Sequence, residues 1–154
     1  MKLKGKSLML RVNGMTIALS TGCTLNTTTQ TTDSRTKDDA TGPAAEFDYV
    51  DWTASSENMV GKNEGVTAEM LYNTLLEHQL AGTVVDLDLV LVANPAGKIP
   101  TGGWTADATA DNGFKPYGGK ALIESLNLSA PAEGEATVSV NFKAVGPLAP
   151  VTIK

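Results

Sequence analysis

The sequence predicts a mainly β protein, an antiparallel β-sandwich or barrel with one flanking α-helix. About seven segments alternate polar and apolar residues with a period of two, one segment has helical spacing, and most connections have hairpin length. At 154 residues, of which 42% are hydrophobic, the chain is expected to form a single domain over residues 1–154. No apolar run approaches the ~20 residues that a membrane-spanning helix needs, so we expect no membrane-embedded segment.

The first two strands are predicted on either side of Asn13-Gly14. Residues 8–12 and 15–19 both alternate, and Asn-Gly between two such runs is a strong hairpin signal. The same region imitates a bacterial lipoprotein signal, with a basic start and Cys23 after small residues. Polar residues interrupt the apolar stretch that such a signal needs, and Ser20 stands where lipidation requires a large apolar residue. The hairpin is therefore favoured, and an exported lipoprotein or binding module remains the alternative.

The next segments are a threonine-rich strand, a long loop and an aromatic strand. Residues 23–32 contain no breaker and are predicted to form a third strand, with too few apolar side chains to be buried on both faces in a monomer. Residues 33–45 collect Asp, Gly and Pro and are predicted to form a long loop. In the strand over 46–57, the apolar positions change parity, which indicates a bulge near Val50.

One helix is predicted between Thr67 and Gly82. Thr67 suits the N-cap, Glu69 would lie in the first turn, where the helix dipole favours an acid, and Gly82 can end the helix in the left-handed conformation. Leucines and a tyrosine recur between them at helical spacing and form one apolar stripe. We expect this stripe to pack on the sheet.

The C-terminal half continues the β pattern. A strand after Gly82 places Asp86 and Asp88 on its polar face, a second long loop covers residues 94–117, and two further strands follow. Prolines near the C-terminus limit the last residues to a tail or an edge segment.

The residues that could carry chemistry are few. Cys23 and His78 are the only residues of their types, and they are interpreted as a small buried residue and a surface residue. Glycines in the second half fit no phosphate-binding pattern. The sequence therefore predicts no catalytic residue, no cofactor, no metal site and no enzyme.

The net charge of -5 is unevenly distributed. Lys2, Lys4, Lys6 and Arg11 give the first eleven residues a charge of +4, whereas the rest has 8 basic and 17 acidic residues, a charge of -9. Binding to phosphates draws its affinity from Lys and Arg, so an acidic body argues against gripping nucleic acid. We expect the basic N-terminal segment, residues 1–6, to contact an acidic surface on a neighbouring subunit.

Polar side chains on strand faces suggest how several copies could associate. The simplest interpretation is an antiparallel sheet with one face in water. The alternative is that several chains join their sheets edge to edge, so that the polar faces line an aqueous bore.

Four stretches resemble, in their order and spacing, the major tail tube proteins of long-tailed (siphovirus-type) bacteriophages. They are SLMLRVNGMTIALSTGCTLNTTTQTTD, YVDWTASSENMV, LYNTLLEHQLAGTVVDLDL and FKPYGGKALIESLNLSAPAEGEATVSVNFKAVGPL. The resemblance covers most of the chain. It implies a phage tail-tube fold, rings that are typically six-fold, and stacking of these rings into the conduit for DNA ejection into the bacterial host.

The resemblance also implies sites, partners and a location. The loop after the third strand would reach an adjacent ring, and its candidate contact residues are Asp33, Arg35, Lys37, Asp38 and Asp39. Within such a tube we expect Asp86 and Asp88 to face the lumen or its rim, where negative charge lets DNA slide without specific binding. Implied partners are the tape measure, tail terminator and tail tip proteins, in a virion tail synthesised and assembled in the host cytoplasm. The inner tube of a contractile tail or injection device, which shares this architecture, is the nearest alternative.

Overall fold

A computed structural model describes residues 8–33, 45–61, 65–66, 69–92, 104 and 115–151. Within these residues the chain forms eight strands and one helix, which confirms the predicted mainly antiparallel β class. The elements are β1 (Leu8–Val12), β2 (Met15–Thr16), β3 (Ser20–Asp33), β4 (Ala45–Met59), α1 (Tyr72–Ala81), β5 (Val85–Leu91), β6 (Tyr117–Ser129), β7 (Thr137–Ala144) and β8 (Ala149–Pro150).

The predicted hairpin at the start of the chain is confirmed. Asn13 and Gly14 both adopt positive φ, 52° and 83°, as a two-residue hairpin loop requires. The turn is tied to β5 because the Asn13 amide donates to the Asp86 carbonyl at 2.7 Å. β2 ends after two residues, earlier than the alternation suggests, because Leu19 takes a φ of 54° and turns the chain into β3. Val12 is completely buried, so β1 is part of the core sheet, which favours the hairpin over the lipoprotein signal.

All strands join one antiparallel sheet. Its order is β2-β1-β5-β6-β7-β4-β3, and β8 pairs with the start of β6. The sheet curls so that its last strand approaches β1. The Sγ of Cys23 in β3 lies 3.8 Å from the Leu8 carbonyl oxygen in β1. The enclosed core contains aromatic, aliphatic and methionine side chains that are at most 7% exposed: Leu10, Val12, Ile17, Trp52, Ala54, Met70, Leu75, Val85, Leu87, Leu89, Ala121, Ile123, Val138, Val140 and Phe142.

The helix begins later than predicted. α1 starts at Tyr72 with Leu71 as its N-cap and no side-chain cap, so the prediction that Glu69 lies in the first turn is wrong. The cause is the preceding segment, in which Met70 donates its amide to the Thr16 carbonyl at 2.8 Å and is held extended beside β2. Thr67, the predicted cap, lies outside the described residues.

The predicted C-terminal end of the helix is confirmed. Gly82 has φ 67° and ψ 27°, and its amide donates to the Gln79 carbonyl while Thr83 donates to the His78 carbonyl. These two bonds form a Schellman motif, which requires the left-handed conformation that glycine adopts without steric cost.

β3 and β4 form a long ribbon that extends beyond the rest of the sheet. β4 pairs with β7 only over residues 53–59, whereas residues 27–33 and 45–52 pair with each other alone. We call these two segments the arm. The predicted bulge is present at Asp48, two residues before Val50, since Gln30 pairs with Tyr49 and Thr31 with Phe47.

Both predicted long loops are shorter than their stated bounds. Asp33 and Ala45 pair with each other as the last residue of β3 and the first of β4, because threonine-rich and aromatic residues extend the ladder to the end of the arm. Tyr117 is already the first residue of β6. Apart from Trp104 and residues 115–116, the rest of both loops lies outside the described residues.

Candidate functional site

Four neighbouring strands, β6, β7, β4 and β3, present hydrophilic side chains on the face opposite the core. The register aligns these side chains into rows that cross the sheet. We call the three rows the polar face: Leu122, Lys143, Thr53 and Asn26; Ser125, Asn141, Ser55 and Thr24; Asn127, Ser139, Glu57 and Gly22.

The middle row is held together by side-chain hydrogen bonds. Asn141 donates its Nδ2 amide to Ser125 Oγ at 2.8 Å. The hydroxyls of Thr24 and Ser55, on the next two strands, are also hydrogen-bonded to each other. Cross-strand hydroxyl and amide pairs of this kind order a sheet face without apolar contacts. The face is therefore structured and suited to water.

Charge on the polar face is low. Its three rows contain one acid, Glu57, and one base, Lys143. All other members are hydroxyl, amide, glycine or leucine residues. A surface with so little positive charge cannot neutralise several phosphates, and electrostatic binding of nucleic acid depends on that neutralisation.

The four-stranded block has a free edge on each side. Among the described residues, β3 is the last strand of the sheet and pairs only with β4. At the other side, β6 pairs with β5 only over residues 117–121, so Ser125–Ser129 has no strand partner on that side within the described residues. Unpaired backbone donors and acceptors on a strand edge readily pair with another chain.

Asp86 and Asp88, predicted to face a lumen, lie on the same side of the sheet as the polar face but on β5. Neither is buried in the core, and each pairs with a cation. Arg11 holds Asp88 through two bonds, Nε–Oδ1 at 3.0 Å and Nη2–Oδ2 at 2.7 Å. Lys120 lies 3.2 Å from Asp86 in an exposed pair. These cations offset much of the negative charge that the sequence led us to expect there.

The remaining candidate residues belong to the arm and to the N-terminus. Asp33 is the last residue of β3. The other predicted contact residues lie outside the described residues: Arg35, Lys37, Asp38, Asp39, Lys2, Lys4 and Lys6. The arm itself exposes large apolar side chains, with Phe47 69% and Tyr49 54% exposed. Exposed aromatic residues on a two-stranded ribbon are typical of a surface that another chain covers.

Solved structures share this fold over nearly the whole chain, and three of them are as follows. A chain from the virion of a native gene transfer agent particle has 15% identity and a TM-score of 0.67, covering 98% of this chain and 100% of that one. A chain from the tail of an empty gene transfer agent particle, with C6 symmetry, has 16% identity and a TM-score of 0.66 at the same coverage. The SPP1 tail tube matches with 11% identity and a TM-score of 0.63, covering 98% of this chain and 81% of that chain.

The chain has the tail tube fold. No protein-family model and no curated protein sequence matches it, so the likeness rests on three-dimensional structure. It confirms the fold class that the sequence resemblance implied. No helix among the described residues is long and apolar enough to cross a membrane.

In this tail tube fold, sequence analysis missed the role of Gly118-Gly119. The indole of Trp52 lies against Gly119 and donates its Nε1 hydrogen to the Gly146 carbonyl at 2.8 Å. A Cβ at position 119 would lie 2.7 Å from the Pro147 carbonyl oxygen and 2.8 Å from Trp52 Cζ2. Gly119 therefore lets the segment before β8 and the indole approach β6 closely, and Gly118 lets Leu87 of β5 and Val151 do the same. Adjacent glycines inside a strand pattern are the signal that could have indicated this approach.

We expect Gly119→Ala to lower the free energy of unfolding by about 1–3 kcal/mol, because overpacking forces backbone and indole to shift. Denaturant unfolding monitored by tryptophan fluorescence measures the loss. Gly22→Ala is the matched control, since a Cβ there meets nothing within 4 Å and the backbone is extended. Equal stability of the two variants would show that the close packing around Gly119 is wrong.

Cys23 and His78, the two residues considered as possible catalytic or metal-binding groups, pack or hydrogen-bond within the fold. Burial raises the pKa of the Cys23 thiol, with a hydrogen bond to the Leu10 backbone acting in the opposite direction. A thiol with a raised pKa stays protonated at neutral pH and is a weak nucleophile. His78 is half-buried in the last turn of α1, and its carbonyl accepts the Thr83 amide.

Proposed function

We propose that the protein is a structural virion protein, the major tail tube subunit, which assembles into stacked rings that form the conduit for DNA ejection. The observation that carries the proposal is the four-stranded polar sheet with two free edges, in a chain with the tail tube fold. In a monomer the open edges would be exposed to unwanted pairing with other chains. A ring of subunits uses both features.

The strand directions favour closure of the sheet between copies. β6, β7, β4 and β3 alternate in direction, because each neighbouring pair is antiparallel. Rotation about a ring axis leaves the direction of each strand relative to that axis unchanged from one copy to the next. The edge of β3 in one copy would therefore run antiparallel to Ser125–Ser129 in the next copy. Such a contact joins two different surfaces and is therefore heterologous. Heterologous contacts form a ring when the rotation between successive subunits closes on the first one.

In this arrangement the polar face lines the lumen. Its hydroxyl and amide groups keep the bore wet, and the near absence of free cations lets DNA pass without specific binding. Asp86 and Asp88 would lie toward the rim, because β5 is beside the start of β6 and outside the four-stranded block. Lys120 and Arg11 pair with these two acids, so the wall near them is almost neutral. DNA would then pass because this wall does not bind it, and not because the wall strongly repels it.

The arm provides the second kind of contact, between rings. It extends beyond the sheet and ends at Asp33 and Ala45, the first and last residues of the predicted inter-ring loop, 33–45. We propose that this loop reaches the adjacent ring, and that rings of six subunits follow the C6 symmetry of the gene transfer agent tail. Other tail proteins, among them the tape measure, terminator and tip, would meet the ends of the tube, in a virion tail assembled in the bacterial host cytoplasm.

Electron microscopy of the purified chain at high concentration tests this proposal. We expect rings or tubes of uniform bore, and a mass by light scattering that is an integral multiple of the subunit. A chain that stays monomeric at every concentration and salt tested, and also with tail assembly partners added, would contradict it.

A further inference from the structure

We propose that residues 1–7 of one copy add as a β-strand to the free edge of β4 in the arm of a second copy. The inference rests on the proposed function only in requiring that copies associate. It assigns the basic N-terminal segment a binding surface on the described part of the chain.

The receiving edge belongs to the arm. Residues 45–52 of β4 pair with β3 on one side, and their other side has no strand partner within the described residues, because β7 pairs with β4 only from Thr53 onward. An unpaired edge of eight residues offers backbone donors and acceptors to an incoming strand.

The two faces of this edge differ in chemistry. Alternation from buried Trp52 places Val50 on the core side of the ribbon, and the bulge at Asp48 returns Phe47 to that same side. The opposite side carries Asp51, Tyr49 and Glu46, and Asp48 adds a further carboxylate at the bulge. One face is therefore apolar and the other acidic.

An apolar groove runs along the same edge. It has a volume of about 640 Å³ and is bounded by the arm on one side and by the end of β7 and the following residues on the other. Its walls include Phe47, Val50, Tyr117, Val145 and Leu148. Phe47 and Val145 are more than half exposed, so the groove is open within the described residues.

The N-terminal segment has the complementary pattern. In MKLKGKS, the lysines at positions 2, 4 and 6 alternate with Met1, Leu3, Gly5 and Ser7. As an extended strand it would present three ammonium groups on one face and two large apolar side chains on the other. The lysines match the acidic face of the arm, and Met1 and Leu3 match the groove.

We assign the segment to a second copy, because by the route past β3 little of it would be left to pair with the edge in its own chain; the intrachain cross-link described below tests the alternative. Leu8 contacts Cys23 on β3, and Cys23 is opposite Ser56, four residues from Trp52 at the end of the receiving edge. Those four residues span about 13 Å along the strand, and crossing two strands adds about 10 Å sideways. Seven residues reach at most about 23 Å, so about five would be used before the edge begins.

Cross-linking between differently substituted full-length chains tests the inference. In a Cys23→Ser background, one chain carries Leu3→Cys and the other Val50→Cys, and a short bis-maleimide is added to the mixed assembly. We expect a covalent heterodimer at a yield about tenfold above that of a mixture carrying Leu3→Cys and Leu80→Cys, because strand pairing raises the local concentration of the two thiols. Leu80 is 79% exposed on α1 and does not line the groove, so it is the matched control.

The outcomes separate this inference from the proposed function. Rings or tubes that form with equal cross-linking at Val50 and Leu80 overturn the inference and leave the tube proposal standing. A monomeric product linked within a chain that carries both Leu3→Cys and Val50→Cys also overturns it, because the segment would then bind its own arm. Absence of any ring or tube contradicts the tube proposal, and absence of any association between copies contradicts both.

A charge exchange gives a second readout. Lys2→Glu, Lys4→Glu and Lys6→Glu together should reduce the Leu3–Val50 cross-link severalfold, and adding Glu46→Lys and Asp51→Lys to the receiving chain should restore it. The control places lysines at Glu133 and Glu135 on the β6–β7 turn instead, where no restoration is expected. Equal restoration by the control overturns the pairing with the arm.

Discussion

A proline at one of two neighbouring positions in β3 is expected to abolish ring formation without unfolding the subunit. In an antiparallel pair, backbone amides alternate between the partner strand and the opposite side. Of Asn26 and Thr27, one therefore donates its amide toward β4 and the other toward the free edge. Proline removes the amide, so Asn26→Pro and Thr27→Pro must have different consequences.

The proline that removes the outward amide should leave the thermal unfolding transition nearly unchanged and eliminate rings in electron microscopy. Its neighbour should destabilise the fold, because it breaks a ladder bond to β4. Each variant is thus the control for the other. Normal rings in the variant that keeps its stability would show that the β3 edge does not join subunits.

Trp52→Ala should lower the free energy of unfolding by about 3–5 kcal/mol, the cost of removing a large aromatic side chain from a core. Trp52 is 2% exposed at the root of the arm, contacts Gly119 and binds the Gly146 carbonyl. Its loss therefore removes packing between β4, β6 and the segment that follows β7. Denaturant unfolding measures the effect.

Two further variants make the Trp52 result interpretable. Trp52→Phe keeps most of the aromatic volume and loses the hydrogen bond, so an intermediate loss is expected. Thr53→Ala, on the exposed face next to it, should change stability by no more than about 0.5 kcal/mol. A Trp52→Ala variant as stable as Thr53→Ala would contradict the packing described at the root of the arm.

Local patterns in the sequence predicted the elements that depend on local chemistry. Asn13-Gly14 determines the first hairpin because both residues tolerate positive φ, and Gly82 ends the helix for the same reason. The parity change in β4 revealed the bulge within two residues of Asp48. Each of these features is decided by a few adjacent side chains.

Features that depend on distant contacts could not be predicted in this way. The start of α1 is delayed by backbone bonds between Met70 and β2, more than fifty residues away in sequence. The free edges follow from strand order, which alternation does not reveal. Likewise, the sequence suggested Asp86 and Asp88 as a source of negative charge at the lumen or its rim, and it did not indicate the cations that face them, which come from β1 and β6.

The polar face shows how much of the site was visible in advance. The threonines of β3 indicated a strand that a monomer does not bury on both sides. In the structure, Ser55 of β4 and Asn141 of β7 lie in the same row of the polar face as Thr24 of β3. What alternation could not indicate was that four such strands are consecutive in the sheet.

A reconstruction of the assembled particle by cryo-electron microscopy tests the central claim most directly. We expect a ring in which β3 of each subunit pairs antiparallel with Ser125–Ser129 of the next, with Asn141 and Ser55 facing the bore. A ring whose bore is lined by α1 or by the arm, with the β3 edge open to solvent, would contradict it.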